Sequence, residues 1–144
     1  MPRIKLVEQQ EYEFHFTITM QPRDINAGGH MGNDALISLV GAARADLFHS
    51  MGMSELDLGN AQTGVIMSDL AVNYLAEAFL FDELFIDTHI GELNRTWFRL
   101  FHRITRKETL IALVETGLVT FNYVSKKIVS VPETFLKRLQ QQRA

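Results

Sequence analysis

The chain has 144 residues, 47% of them hydrophobic, with 17 acidic and 14 basic side chains giving a formal net charge of −3. That balance supplies no domain-wide positive excess to displace phosphate counterions, which argues against a nucleic-acid surface. With no cysteine, disulfides, thiolate metal sites and a cysteine nucleophile are all excluded. No apolar run reaches the roughly 20 residues of a membrane span, and the opening Met1–Gln10 lacks the apolar core and small-residue cleavage site of a secretory signal. The expectation is therefore one domain over residues 1–144, without membrane contact, in the cytoplasm.

The first element is an alternating segment. Tyr12, Phe14, Phe16, Ile18 and Met20 fall on one face and Glu13, His15, Thr17 and Thr19 on the other, the period-2 pattern of a half-buried strand. After a polar stretch the period changes: Leu36, Leu39, Val40, Ala43 and Leu47 form one helical stripe, which Asn33 is placed to cap and Gly52 to end. Gly41, Ala42 and Ala43 allow that helix to approach a sheet closely. Ser54–Thr63 reads as a loop. Four strand-like runs follow, Gly64–Leu75, Glu83–Leu93, Thr96–Thr105 and Leu110–Val124, separated by short polar breaks. Gly117 is a position for a bulge or bend in the last of them. Pro132 suits the first turn of a short C-terminal helix. Strand, long helix and four antiparallel strands specify an α+β fold in which a sheet wraps one apolar helix.

The chemistry concentrates in residues 24–33, Asp-Ile-Asn-Ala-Gly-Gly-His-Met-Gly-Asn. Asp24, Asn26 and His30 sit just ahead of a helix N-terminus, whose unpaired amides and positive dipole end can polarise a carbonyl oxygen. Gly28, Gly29 and Gly32 let a substrate approach the backbone, and the Gly29 and His30 amides are candidate oxyanion donors. His30 is the group in the loop able to accept a proton near neutrality, with Asp24 as its orienting partner or as the direct base. Asn26 can position a water or bind a carbonyl. Elsewhere, His89 and His102 lie on neighbouring strand-like runs within reach of a hairpin pairing, yet no third ligand accompanies them and no metal is expected. Gly52-Met53-Ser54 supplies only half of a nucleophile elbow and follows a helix rather than a strand. Arg95, Arg99, Arg103, Arg106, Lys107, Lys126 and Lys127 give the later strands a basic bias suited to the phosphate groups of a ligand or, with Trp97 and Phe101, to a subunit contact.

The stretch Asp24–Asn33, the helix ending Ala43-Arg44-Ala45-Asp46-Leu47-Phe48, the pieces Asn73–Ala78 and Asp82-Glu83-Leu84, and Val131-Pro132-Glu133 together resemble the hotdog-fold acyl-CoA thioesterases of the 4-hydroxybenzoyl-CoA thioesterase type. The resemblance spans about residues 12–136. It implies a helix wrapped by an antiparallel sheet, self-association to a dimer or tetramer by joining sheets, and hydrolysis of an acyl-CoA, with no cofactor beyond the coenzyme A of the substrate. On this reading the loop chemistry makes Asn26, His30 and Asp24 the candidate catalytic residues and Gly28, Gly29, Asn33 and Arg99 the substrate-binding ones, with an acyl tunnel formed by Leu36, Val40 and residues across the dimer. The chain departs from the family at two positions: the second acid of the usual Asp-x-Asp opening is Asn26, and the helix carries Gly41-Ala42-Ala43 where some members place a glutamate. Two other readings compete. A MaoC-type enoyl-CoA hydratase, whose loop reads Asp-x-Asn-Pro-x-His, matches Asp24-Ile25-Asn26 but has its histidine one residue earlier. A non-catalytic protein that binds an acyl-CoA or acyl carrier would account for the missing carboxylates.

Overall fold

In a computed structural model describing residues 1–143, the period-2 segment forms β1 (Phe14–Thr19), and a short 3-10 turn at Pro22–Asp24 leads through the loop into α1 (Asn33–Ser50). The remaining elements are β2 (Thr63–Tyr74), β3 (Glu83–Gly91), β4 (Trp97–Arg106), β5 (Thr109–Asn122), β6 (Lys127–Ile128) and α2 (Glu133–Arg143). Every pairing in the sheet is antiparallel, in the order β1-β3-β4-β5-β2, with β6 added to the end of β5. The α+β arrangement is the expected one. The two-residue strand β6 has no pattern of its own and is not foreseen by periodicity.

The expected helical stripe is the buried one: Leu36, Leu39, Val40, Ala43 and Leu47 are all within the core, joined by Phe48. The helix stops at Ser50, and Gly52 follows at φ +72°, a left-handed conformation that glycine adopts without strain. At the other end Asn33 does not cap. Gly32 is the N-cap residue, Asn33 is the first helical residue, and no side chain caps the helix among the described residues. Nor does Gly41 mark a close approach to the sheet, because an added methyl there would meet nothing nearer than the Arg44 guanidinium at 3.8 Å.

α1 lies across the inward face of the sheet, and the core divides along it. Its N-terminal half packs Leu36, Leu39, Val40 and Ala43 with Met20, Leu84, Ile86, Ile104 and Ala112. Leu47 and Phe48 pack with Phe98, Leu100, Leu118 and, from α2, Phe135 and Leu139. Each of the large aliphatic and aromatic side chains buried in this way contributes roughly 1.5–3 kcal/mol. The sheet also buries three polar side chains, Thr88, His102 and Thr116. His102 lies opposite Thr88 and shares a 2.8 Å hydrogen bond with its hydroxyl through Nδ1. His89 points to the other face of the sheet, against Phe101 and Glu13. The two histidines thus do not approach one another.

Gly117 does not bend β5; the irregularity falls in the facing strand, between Met67 and Asp69. A side chain at 117 would occupy the space in which the Arg99 guanidinium meets the Asp69 carboxylate, with Ser68 Oγ only 2.7 Å from its Cβ position. The glycine is therefore required by a cross-strand ion pair.

Burial, reinforced by the nearby Arg44 charge, depresses the His102 imidazole to about 3 from its ordinary 6.5. Protonation in the unfolded chain begins near 6.5, whereas the folded chain resists it. Stability linked to this residue is complete above pH 6.5 and declines as pH falls toward 3, by at most about 1.4 kcal/mol per pH unit. Replacing the pair by apolar residues, Thr88→Val with His102→Leu, should flatten that part of the stability profile in urea titrations between pH 4 and 7; an unchanged slope would show that other groups set it.

Candidate functional site

The loop between the 3-10 turn and α1 closes on itself. The Asn26 amide donates to the His30 carbonyl at 2.9 Å, the Gly29 amide to the Asn26 carbonyl at 3.1 Å, and the Gly32 amide to the Asp24 carbonyl at 3.0 Å. Gly29 adopts φ +82°, which this tight reversal demands. One further bond anchors the loop to the sheet: the Met31 amide donates to the Ala78 carbonyl at 2.7 Å. That bond holds the loop against the segment leaving β2, and between them lies a cleft of about 470 Å³ lined by Asn26, His30, Met31 and Asn33 on one wall and Tyr74, Leu75, Ala76 and Glu77 on the other.

Within the cleft, side-chain atoms are already assigned. His30 Nδ1 lies 3.1 Å from the Met31 carbonyl oxygen; a carbonyl only accepts, so Nδ1 carries the proton and Nε2 presents a lone pair. Asn26 accepts the Gly28 amide on Oδ1 at 2.9 Å, which leaves its Nδ2 donors free. Gly28 makes room for both: a methyl there would lie 3.3 Å from Asn26 Oδ1 and 3.3 Å from His30 Nε2. The Tyr74 hydroxyl donates to the Asn33 carbonyl at 2.8 Å, and its ionisation is pushed up by burial and by the Asp34 charge. The first intrahelical donor is Leu36, which reaches Gly32 at 3.3 Å, so the amides of the preceding turn are the orphan donors of a helix start.

The expected residues separate accordingly. Asn26, His30 and Asn33 come together, with Gly28 beneath them. Gly29 does not offer its amide, which is spent on Asn26. Asp24 faces away: its side chain is buried and its Oδ2 accepts the Gln21 amide at 2.8 Å, a turn-closing role that leaves it outside the cleft lining. Leu36 and Val40 are sealed in the core at 0% and 1% exposure and line no open tunnel in this chain. Arg99 lies on the outward face of the sheet, held by both Asp69 oxygens at 2.9 and 2.7 Å and by Glu115. The Arg99 guanidinium, with the Ser68 hydroxyl, holds the Asp69 carboxyl below its usual range. Arg103 is paired with Asp87 and Glu8, and Arg106 with Asp82. The basic bias of these strands is thus neutralised locally and offers no free cation at those three positions. Tyr74 and Glu77 are site residues that loop chemistry alone does not suggest. Among the described residues, no three His, Asp or Glu side chains are grouped to hold a metal, and no helix is long and apolar enough to cross a membrane.

An antiparallel sheet wrapped on one helix, with a polar loop at the helix start, is the hotdog fold of thioesterases, and solved structures bear the likeness out. A 1,4-dihydroxy-2-naphthoyl-CoA thioesterase from Synechocystis is 15% identical with a TM-score of 0.81, the match covering 91% of this chain and 98% of that one. A hypothetical protein from Staphylococcus aureus, solved in complex with CoA, is 19% identical with a TM-score of 0.82 over 96% of this chain and 87% of that one. A probable thioesterase from Escherichia coli is 18% identical with a TM-score of 0.74, over 90% and 98% of the two chains. No curated protein matches this sequence significantly. Residues 20–139 match the family model of the thioesterase-like superfamily, and the chain belongs to that superfamily.

Gly28 gives a direct check on the geometry. Gly28→Val should displace the His30 ring and the Asn26 amide, read as a change in the His30 ring 15N and 13C shifts, while the loop's exposure keeps the loss of stability below about 1 kcal/mol. Unchanged ring shifts would show that position 28 does not support His30.

Proposed function

We propose that the chain hydrolyses the thioester of an acyl-CoA in the cleft between the Asn26–Asn33 loop and the end of β2. The observation that carries this reading is the pair of unspent groups facing one space in a member of the thioesterase-like superfamily: His30 Nε2, bare because Nδ1 donates to Met31, and Asn26 Nδ2, free because Oδ1 accepts from Gly28. Thioester hydrolysis requires a base for water and donors for the developing oxyanion. In the proposed step His30 Nε2 takes a proton as water attacks the carbonyl carbon, and Asn26 Nδ2 together with the amides at the start of α1 binds the carbonyl oxygen. Collapse of the tetrahedral intermediate breaks the C–S bond, and the imidazolium returns its proton to the departing thiolate. Asp24 has no part in this step.

Solved relatives in fold include enzymes described as thioesterases for 1,4-dihydroxy-2-naphthoyl-CoA and gentisyl-coenzyme A, and one protein in complex with CoA; these support a coenzyme A thioester as the substrate class. The edge strand β2 exposes Ile66, Met67 and Leu70, which supports self-association through that edge.

The test is release of free thiol from a panel of aliphatic, branched and aromatic acyl-CoAs, followed with a colorimetric reagent that a chain without cysteine does not consume. The expected result is turnover by the wild type and a loss of 100-fold or more in His30→Ala, on the scale of removing a general base. Asn26→Asp, which replaces an oxyanion donor by a like charge, should lower kcat by about 10²-fold. A wild type without turnover, revived by Asn26→Asp, would instead identify an acyl-CoA binder; hydration of enoyl-CoAs without thiol release would identify a hydratase.

A further inference from the structure

The sequence leaves position 26 without a carboxylate, yet the cleft is not without one. Glu77 lines the wall facing Asn26 and His30. Its place follows from the bond that joins the two walls, because Met31 donates to Ala78, and His30 and Glu77 each stand one residue before a member of that bond. The neighbouring carboxylates are engaged elsewhere. Asp24 accepts the Gln21 amide, and Asp82 accepts from Phe79 and from Arg106. Asp34 Oδ1 lies over Gly32 at the helix start, 2.7 Å from where a side chain there would begin. The Glu77 side chain has no hydrogen bond or ion pair among the described residues; Arg106 reaches only its backbone carbonyl, at 2.8 Å, and gives its charge to Asp82.

We propose that Glu77 is a catalytic carboxylate of this site, supplied from the segment after β2 in place of the acid absent at position 26. The proposal rests on the hydrolytic reading above and adds a residue to it. The attacking water lies between the two walls of the cleft, giving one proton to His30 Nε2 while its other O–H donates to the Glu77 carboxylate. This aims the oxygen lone pair at the thioester carbon, and the carboxylate charge stabilises the imidazolium as it forms. No proton passes to Glu77, so the balance of the step is that already given: water and thioester yield carboxylic acid and thiol. The other charged or titratable groups around His30 are Tyr74 and Asp34 from β2 and α1, Asp24 from the 3-10 turn, and the Arg106–Asp82 pair from β4 and the turn before β3. They are common to wild type and variants and cancel in the comparison.

The test compares kcat, KM and pH profiles of wild type, Glu77→Gln and Glu77→Ala, with Glu108→Gln in the β4–β5 turn as a control for loss of one surface charge. Glu77→Gln keeps an acceptor and loses the charge. It should lower kcat about 10-fold with KM within about two-fold, and move the acid limb of the kcat profile down by about 0.5 pH unit, a modest shift because the group is exposed and solvent-screened. Glu77→Ala should cost about 100-fold, and Glu108→Gln nothing. Thermal melts matching the wild type would exclude unfolding, which the exposed, unbonded side chain leads one to expect. Thiol release by wild type and Glu77→Gln with the same kcat and the same acid limb would overturn the role of Glu77 alone. Absence of thiol release by the wild type across the panel would overturn the hydrolytic reading and this inference together.

Discussion

The burial of one helical stripe governs the rest of the molecule. Leu36, Leu39, Val40, Ala43 and Leu47 can leave water together only if α1 lies along the inward face of the sheet, and that placement fixes where the helix begins. Because the first buried residue, Leu36, is only three positions into the helix, the orphan amides of its first turn are held at the end of β2 rather than in free solution. The loop before it then has little choice of path. It must join the end of β1 to a helix start pinned by the core, and it does so by closing on its own backbone and on Ala78.

That geometry has an electrostatic counterpart. Arg99 and Arg103 on the outward face of the sheet, and Arg106 at the end of β4, are each matched with acids elsewhere in the chain, so the charges are spent on holding strands and turns together. Exposed pairs of this kind contribute little to stability individually, but their arrangement dictates local sequence, as the glycine opposite the Arg99–Asp69 pair shows. In the cleft the reverse holds: His30 and Asn26 each commit one polar atom to the backbone and leave the other uncommitted. Groups tied on one side and free on the other are oriented without being satisfied, which is the condition under which a side chain acts on a substrate rather than on the fold. The buried Thr88–His102 pair shows the contrasting condition, in which burial suppresses the charge of an imidazole and removes it from chemistry.

The sequence by itself determined the α+β class, the strand and helix periods, the inward face of α1 and the loop that houses Asn26 and His30, because each depends on patterns repeated over short distances along the chain. Its likeness to the hotdog thioesterases was legible for the same reason, since the motif pieces lie within those local elements. What it could not decide was which partner each polar atom meets. Asp24 looked available for catalysis but closes a turn, and Arg99 looked available for phosphates but is held by Asp69 and Glu115. Asn33 suited a cap that the backbone places at Gly32. Glu77 and Tyr74, more than 40 residues from the loop in the chain, enter the cleft only because β2 folds back against the helix start. Local periodicity reports whether a side chain faces the core; hydrogen-bond partners are set by long-range packing, and only the tertiary structure decides them.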